Sequence, residues 1–202
     1  MSSALDSAGI CTEIDGFFES VSRGEVEIYN EFSLQHELGI RLRQALPAGF
    51  KLQFERPVDY FDIPRAEAVK REIDIAIFSA DKTVKAAVEL KYPRNGQYPE
   101  QMFSACVDLT FLEDLVRAGF AFGVFVIAVE DPLFYRGAAD GMLYGAFRGG
   151  STVSGCIRKP TGKRDTVIEL AGTYSIDWRT AADLRYAVAT VYPTSARGEH
   201  PA

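Results

Sequence analysis

The chain has 202 residues, with a formal net charge of −6 at neutral pH, 47% hydrophobic and 25% charged residues. That composition belongs to a globular chain with enough apolar matter for a substantial core, and its acidic balance argues against a protein that coats nucleic acid by neutralising phosphates over its whole surface. The longest apolar run, residues 120–129, is too short to cross a bilayer, and the N-terminal stretch lacks the basic flank and apolar core of a secretion signal, so a cytoplasmic protein with no membrane partner is expected.

Residues 6–22 carry Ile10, Ile14, Phe17, Phe18 and Val21 at roughly helical spacing and predict a short helix closed by Gly24. A second helix is expected over residues 30–46, stopped by Pro47 and Gly49, with an apolar stripe of Leu34, Leu38, Leu42, Ala45 and Leu46. Glu31 falls inside that stripe and Gln35 near its edge, while His36 and Glu37 point elsewhere. An acid on a buried face is costly without a partner, which singles out Glu31; it would either face a partner inside or cap its own helix. Residues 50–56, FKLQFER, alternate as a strand ending at Pro57.

Residues 71–91, REIDIAIFSADKTVKAAVELK, read as two apolar strands joined by a polar turn. Alternation puts Ile73, Ile75 and Ile77 on one face of the first strand and Asp74 on the other; Glu89 and Lys91 share a face of the second. A turn centred on Asp81 and Lys82 sets Asp74 opposite Glu89, with Cβ atoms about 5 Å apart. Two carboxylates and an ammonium then gather on one side of an otherwise apolar hairpin. Hard oxygen ligands with no nearby histidine or thiolate suit Mg²⁺ or Mn²⁺ better than zinc. Glu-x-Lys on a strand is by itself commonly a solvated ion pair, so the motif draws its meaning from the elements around it.

Pro99 sits well at the start of a long helix that Gly119 ends, with Met102, Phe103, Cys106, Leu109, Leu112 and Val116 on its inner face. Residues 121–129, AFGVFVIAV, are apolar on both faces and fit a central strand, parallel to the one before because a helix connects them. Beyond Pro132 strand-like runs are expected at residues 142–148, 152–159, 166–170 and 174–178, either extending the sheet or forming a small β-subdomain, with residues 181–191 a helix or a strand. Cys11, Cys106 and Cys156 are widely separated with no CxxC spacing, and His36 and His200 are the only histidines, so neither a disulfide framework nor a zinc site is suggested.

The order helix, strand, strand, strand, helix, strand, with Glu31 on the first helix, Asp74 on the second strand and Glu89-Leu90-Lys91 on the third, resembles the PD-(D/E)xK phosphodiesterase superfamily and its restriction-endonuclease-like fold. Ile73 stands where that family often has proline. The resemblance covers roughly residues 30–130 and implies an α/β protein with an αβββαβ core and a mixed sheet flanked by helices. The C-terminal third lies outside it, and its strand-like runs are read as an antiparallel β extension; the expectation is a single domain over 1–202, with a nuclease-like core at 28–131 and the β-rich extension at 132–202. By the same resemblance Asp74, Glu89 and the Leu90 carbonyl would hold Mg²⁺ or Mn²⁺, Glu31 would complete the shell, Lys91 would orient water or stabilise charge on phosphorus, and Gln101 would wall the pocket. The implied activity is metal-dependent hydrolysis of DNA, less readily RNA, with a homodimer or larger assembly suited to cutting both strands.

The basic residues between positions 136 and 164, among them Arg148, Arg158, Lys159, Lys163 and Arg164, read either as a phosphate-tracking surface beside that site or as solvated charges on turns. Tyr135, Tyr144 and Phe147, interleaved with them, would stack on bases in the first reading and form core in the second. A non-catalytic nucleic-acid- or protein-binding module of the same fold, working within a defence or repair assembly, is the alternative expectation.

Overall fold

The computed structural model of the chain describes residues 5–64, 69–94, 96–162 and 165–193. Helix α1 (Ser7–Ser22) begins where the Asp6 carboxylate accepts from the Gly9 amide, and it buries Ile10, Ile14, Phe17, Phe18 and Val21 as their spacing predicts. Helix α2 (Glu31–Ala45) is fixed by a reciprocal cap: the Asn30 side chain accepts from the Ser33 amide at 2.7 Å, and the Ser33 hydroxyl accepts from the Asn30 amide at 3.0 Å.

Strands β1 (Phe50–Pro57), β2 (Glu72–Ser79) and β3 (Lys85–Lys91) form an antiparallel meander. Helix α3 (Tyr98–Arg117) then carries the chain across to β4 (Phe122–Val129), which pairs parallel to β3. After helix α4 (Gly141–Arg148), strands β5 (Val153–Arg158) and β6 (Val167–Tyr174) make a separate ribbon. Strands β7 (Arg179–Ala181) and β8 (Leu184–Val191) return to the main sheet, whose order is β1-β2-β3-β4-β8-β7. The protein is therefore α/β, with a mixed six-stranded sheet flanked by helices. No helix among the described residues is long and apolar enough to cross a membrane.

Strand β4 is buried along its whole length because both its faces are covered. Val124, Val126 and Ala128 pack with Leu34, Leu38 and Leu42 under α1 and α2, while Phe125, Ile127 and Val129 pack with Cys106, Leu109 and Leu112 of α3. Period-2 alternation of one strand thus divides the molecule into two cores. Gly39 lets α2 come down onto the sheet: a Cβ there would stand 2.2 Å from the Phe54 ring of β1.

The C-terminal third differs from its sequence reading in two places and settles a third that the sequence left open. Residues 142–148, expected as a strand, form most of α4, because Leu143, Ala146 and Phe147 recur at helical rather than alternating spacing, and Arg148 stacks 3.9 Å from the Tyr144 ring one turn back. Residues 174–178 are not a strand of their own: β6 ends at Tyr174, and Trp178 instead donates from its ring nitrogen to the Phe147 carbonyl at 2.7 Å. Residues 181–191, left between helix and strand, contain β8, which lies against β4 in the middle of the sheet. The segment beyond residue 131 therefore does both things allowed for it, extending the main sheet and adding a ribbon.

Glu113 ties that ribbon to α3. Its side chain is buried and accepts from the Ala171 amide at 2.9 Å, the Gly172 amide at 2.7 Å and the Tyr174 hydroxyl at 2.7 Å. Truncation leaves three donors unpaired, so Glu113→Ala is expected to cost about 3–5 kcal/mol in urea unfolding. A loss under about 1 kcal/mol would show that water replaces the carboxylate at no cost.

Candidate metal and phosphodiester site

The site grows from a place where the sheet comes apart. Strands β2 and β3 are paired from Phe78↔Lys85 to Ile75↔Val88, a register that continues to Asp74 opposite Glu89, as the turn at Asp81 and Lys82 predicts. Asp81 holds that turn by accepting from Ser79 Oγ at 2.5 Å and from the Thr83 amide at 3.1 Å. The regular ladder stops at Ile75, and the two acids take over the bridging. Glu89 Oε1 accepts from the Asp74 amide at 3.1 Å, and Asp74 Oδ2 accepts from the Leu90 amide at 2.8 Å. On the other side, β1 pairing skips Glu55, whose backbone is left-handed (φ 48°), and the Asp74 carbonyl accepts instead from Gln35 Nε2 at 2.9 Å. This break also corrects the alternation expected of β2: Ile75 and Ile77 face α1 and α2, but Ile73 packs in the α3 core.

Helix α3 closes the site from one face with an acid that the sequence reading passed over. Asp108 is 2% exposed, and its two oxygens lie 3.2 Å from Lys70 Nζ and 3.0 Å from Lys91 Nζ. Lys70 also touches Glu89 Oε2 in a short contact and stands 3.6 Å from Asp74 Oδ1. Three carboxylates, from β2, β3 and α3, thus surround one ammonium, with Lys91 on the far side of Asp108. The signal for Asp108 was present: it lies four residues before Leu112, on the inner stripe of α3. Lys70 had none, because it belongs to a loop without periodicity.

Glu31 corrects an expectation. It is exposed at the first turn of α2 rather than buried in the stripe, because the buried residues of α2 begin only at Ser33 and Leu34. Its carboxylate still reaches the site's rim, accepting from the Tyr92 amide at 2.9 Å, one residue past Lys91. Gln35, assigned to the stripe's edge, is buried and bonds the Asp74 carbonyl and the Glu55 carboxylate at once.

Electrostatics follow from burial. Glu89 is fully buried, and burial, then the Asp74 charge, push its carboxyl well above the usual range. Burial likewise raises Asp74, to about 6, against the pull of Lys70 and the Leu90 amide. For Lys70 and Lys91 burial pulls the other way but is outweighed: Glu89 leads in raising Lys70, and Asp108 followed by Glu31 in raising Lys91. Because Asp74 titrates higher folded than unfolded, the folded chain keeps a proton between about pH 4 and 6 that the unfolded chain has lost, and this group's contribution to stability falls as pH rises through 6. Asp74→Asn mimics the protonated acid, so in EDTA its stability relative to wild type is expected to rise by about 2 kcal/mol from pH 4.5 to 7.5. Urea midpoints at the two pH values check this; a gap that does not widen would mean that Asp74 is stably ionised.

None of the known families, curated proteins or solved structures compared with the chain matches it. The chemistry therefore rests on the donor set. Among the described residues no three acid, histidine or cysteine side chains stand close enough together to enclose a metal ion. The oxygens of Asp74, Glu89 and Asp108 are spaced around an ammonium, whose hydrogen bonds run about 2.7–2.9 Å, whereas Mg²⁺ needs about 2.0–2.1 Å. Their chemistry, oxygen donors only, fits a hard divalent ion, provided Lys70 withdraws. The Leu90 side chain faces the α1/α2 core, so only its backbone borders the acids.

The remaining residues lie apart from this cluster. Gln101 lines a cavity of about 330 Å³ with Glu100, Ser104 and Lys159, and Lys159 pairs with Glu100 at 2.9 Å. Arg148 is committed to the chain itself, donating to the carbonyls of Leu133 at 2.9 Å and Ala138 at 3.1 Å. Arg158 is exposed on β5. Lys163 and Arg164 lie outside the described residues. Of the aromatics interleaved with them, Phe147 is core and Tyr135 and Tyr144 are half-buried against it, which favours the packing reading over base stacking.

Proposed function

We propose that the protein is a metal-dependent phosphodiesterase acting on nucleic acid, DNA in the first instance, with the restriction-endonuclease-like core that its motif resembles. The observation that carries this reading is the splayed end of the hairpin, where Asp74 and Glu89 leave the ladder to bridge two strands and bring Lys91 and Asp108 beside them. Supporting it are the run α2-β1-β2-β3-α3-β4, the element order expected for that core, and the mixed sheet that those strands form. Buried acids held above their ordinary range belong more often to sites than to scaffolds.

A divalent ion held by Asp74 and Glu89 would polarise a phosphodiester and activate a water. The chain's own residues supply the rest. Lys91, held on its strand by Asp108, presents a positive charge where negative charge grows on phosphorus. Gln35 fixes the Asp74 backbone from below, and Glu31 fixes the turn after Lys91 through the Tyr92 amide.

The deciding experiment is incubation of purified protein with plasmid and with single-stranded DNA, in Mg²⁺, Mn²⁺ or EDTA. Cleavage in Mg²⁺ or Mn²⁺ that EDTA and Asp74→Ala both abolish is expected; cleavage surviving either refutes the reading. One observation favours a second reading. Lys70 pairs with all three acids without any metal, as a non-catalytic binding module would allow, and salt-sensitive DNA retention unchanged by Asp74→Ala, without cleavage, would select it.

A further inference from the structure

Asp74, Glu89 and Asp108 each turn one carboxylate oxygen to the same point, the Lys70 ammonium: Asp74 Oδ1 at 3.6 Å, Glu89 Oε2 in a short contact and Asp108 Oδ1 at 3.2 Å. Glu89 and Asp108 are 0% and 2% exposed. A divalent ion in place of Lys70, with Lys91 unmoved, would meet the same three oxygens. The lysine that must leave is also the one able to do so. Its side chain is 27% exposed against 14% for Lys91, and it is borne on the loop before β2 rather than within a strand. The second oxygen of each acid is taken elsewhere, by the Leu90 amide for Asp74, the Asp74 amide for Glu89 and Lys91 for Asp108, which leaves one oxygen of each directed at the Lys70 seat.

We propose that Lys70 is a resident counter-ion that competes with the divalent metal for one seat between Glu89, Asp74 and Asp108, so that the protein holds either its own ammonium or the metal there. The inference rests on the metal-site reading above and adds its regulation. Withdrawal of Lys70 lets the three carboxylates close from ammonium to metal distances, by roughly 1 Å. It also returns a hydrated cation to the mouth of the site, where an incoming phosphate would meet it. A seat filled by Lys70 nine-tenths of the time weakens apparent metal affinity about tenfold.

The test measures Mn²⁺ binding by calorimetry and by the loss of free-ion electron resonance signal, in wild type, Lys70→Met, Lys70→Gln and Asp74→Asn. Both Lys70 variants are expected to bind Mn²⁺ about tenfold more tightly than wild type, and Asp74→Asn to bind weakly or not at all. Should the substitutions impair folding, acetic anhydride labelling of wild type with mass spectrometry gives an independent readout. Saturating Mn²⁺ is expected to raise Lys70 acetylation toward the rate of exposed Lys51, and to leave it unchanged in Asp74→Asn. Wild-type affinity that the Lys70 variants leave equal or weaken, or Lys70 labelling indifferent to Mn²⁺, overturns the exchange while the nuclease reading stands on its cleavage assay. Mn²⁺ binding that frees Lys70 without any DNA cleavage upholds the exchange and sinks the nuclease. No Mn²⁺ binding by any of the four proteins overturns both.

Discussion

Glu89→Ala is expected to lower the free energy of unfolding by about 3–5 kcal/mol in metal-free buffer. Glu89 is fully buried and spans a gap in the sheet, taking the Asp74 amide on one oxygen and the Lys70 ammonium on the other. Truncation leaves the Asp74 amide and the Lys70 ammonium without this acceptor and opens a cavity in the interior, and the two costs add. Glu89→Gln separates shape from charge. Burial and the neighbouring Asp74 already press this carboxyl toward its neutral form, and glutamine keeps an acceptor for the Asp74 amide. The glutamine variant is therefore expected to lose less than about 1 kcal/mol. Equal losses in the two variants, read from urea midpoints in EDTA, would mean that the charge itself holds the hairpin together.

The second large effect falls on activity. Lys91→Ala is expected to slow Mg²⁺-dependent cleavage about 10²–10³-fold, the usual scale for removing one charge-stabilising group from a site shielded from water. Lys91→Arg is the sharper variant. It keeps the positive charge against Asp108, so the fold should hold to within about 1 kcal/mol, but a planar fork cannot take the place of a compact ammonium. Slowed turnover with unchanged Mn²⁺ affinity and an unchanged urea midpoint is expected. If Lys91→Arg cleaves at the wild-type rate, the residue serves only as a counter-ion to Asp108.

The two predictions draw on different levels of information. The hairpin, its turn and the facing of Asp74 and Glu89 were legible in residues 71–91, because period-2 alternation and a polar turn leave few registers. The crossover helix and the parallel central strand were legible for a similar reason: a long apolar stripe and a run buried on both faces admit one arrangement. Residues 142–148 were misread because a short amphipathic segment satisfies both periods over eight residues, and only packing against β5 and Trp178 decides between them.

At the site the division is finer. Glu31 was judged from the helical stripe alone, yet burial depends on what lies beneath, and the buried residues of α2 begin only at Ser33. Gln35, one turn on, is the residue that reaches the hairpin. Asp108 obeyed the same rule that drew attention to Glu31, an acid on an apolar stripe, and it is the one that is buried. Local pattern says which side chains share a face, and does not say how far the neighbouring element extends.

Sequence alone placed Asp74, Glu89 and Lys91 on one side of a hairpin, from alternation and the position of the turn, although the same alternation fails next to Asp74, at Ile73. The tertiary structure decided that the hairpin opens there, that Asp108 enters from α3, and that Lys70 sits among the acids. Asp108 meets Lys91 and Lys70 across 17 and 38 positions, and only the packing of a helix and a loop onto the sheet brings such charges close enough for Coulomb forces in a dry interior to matter.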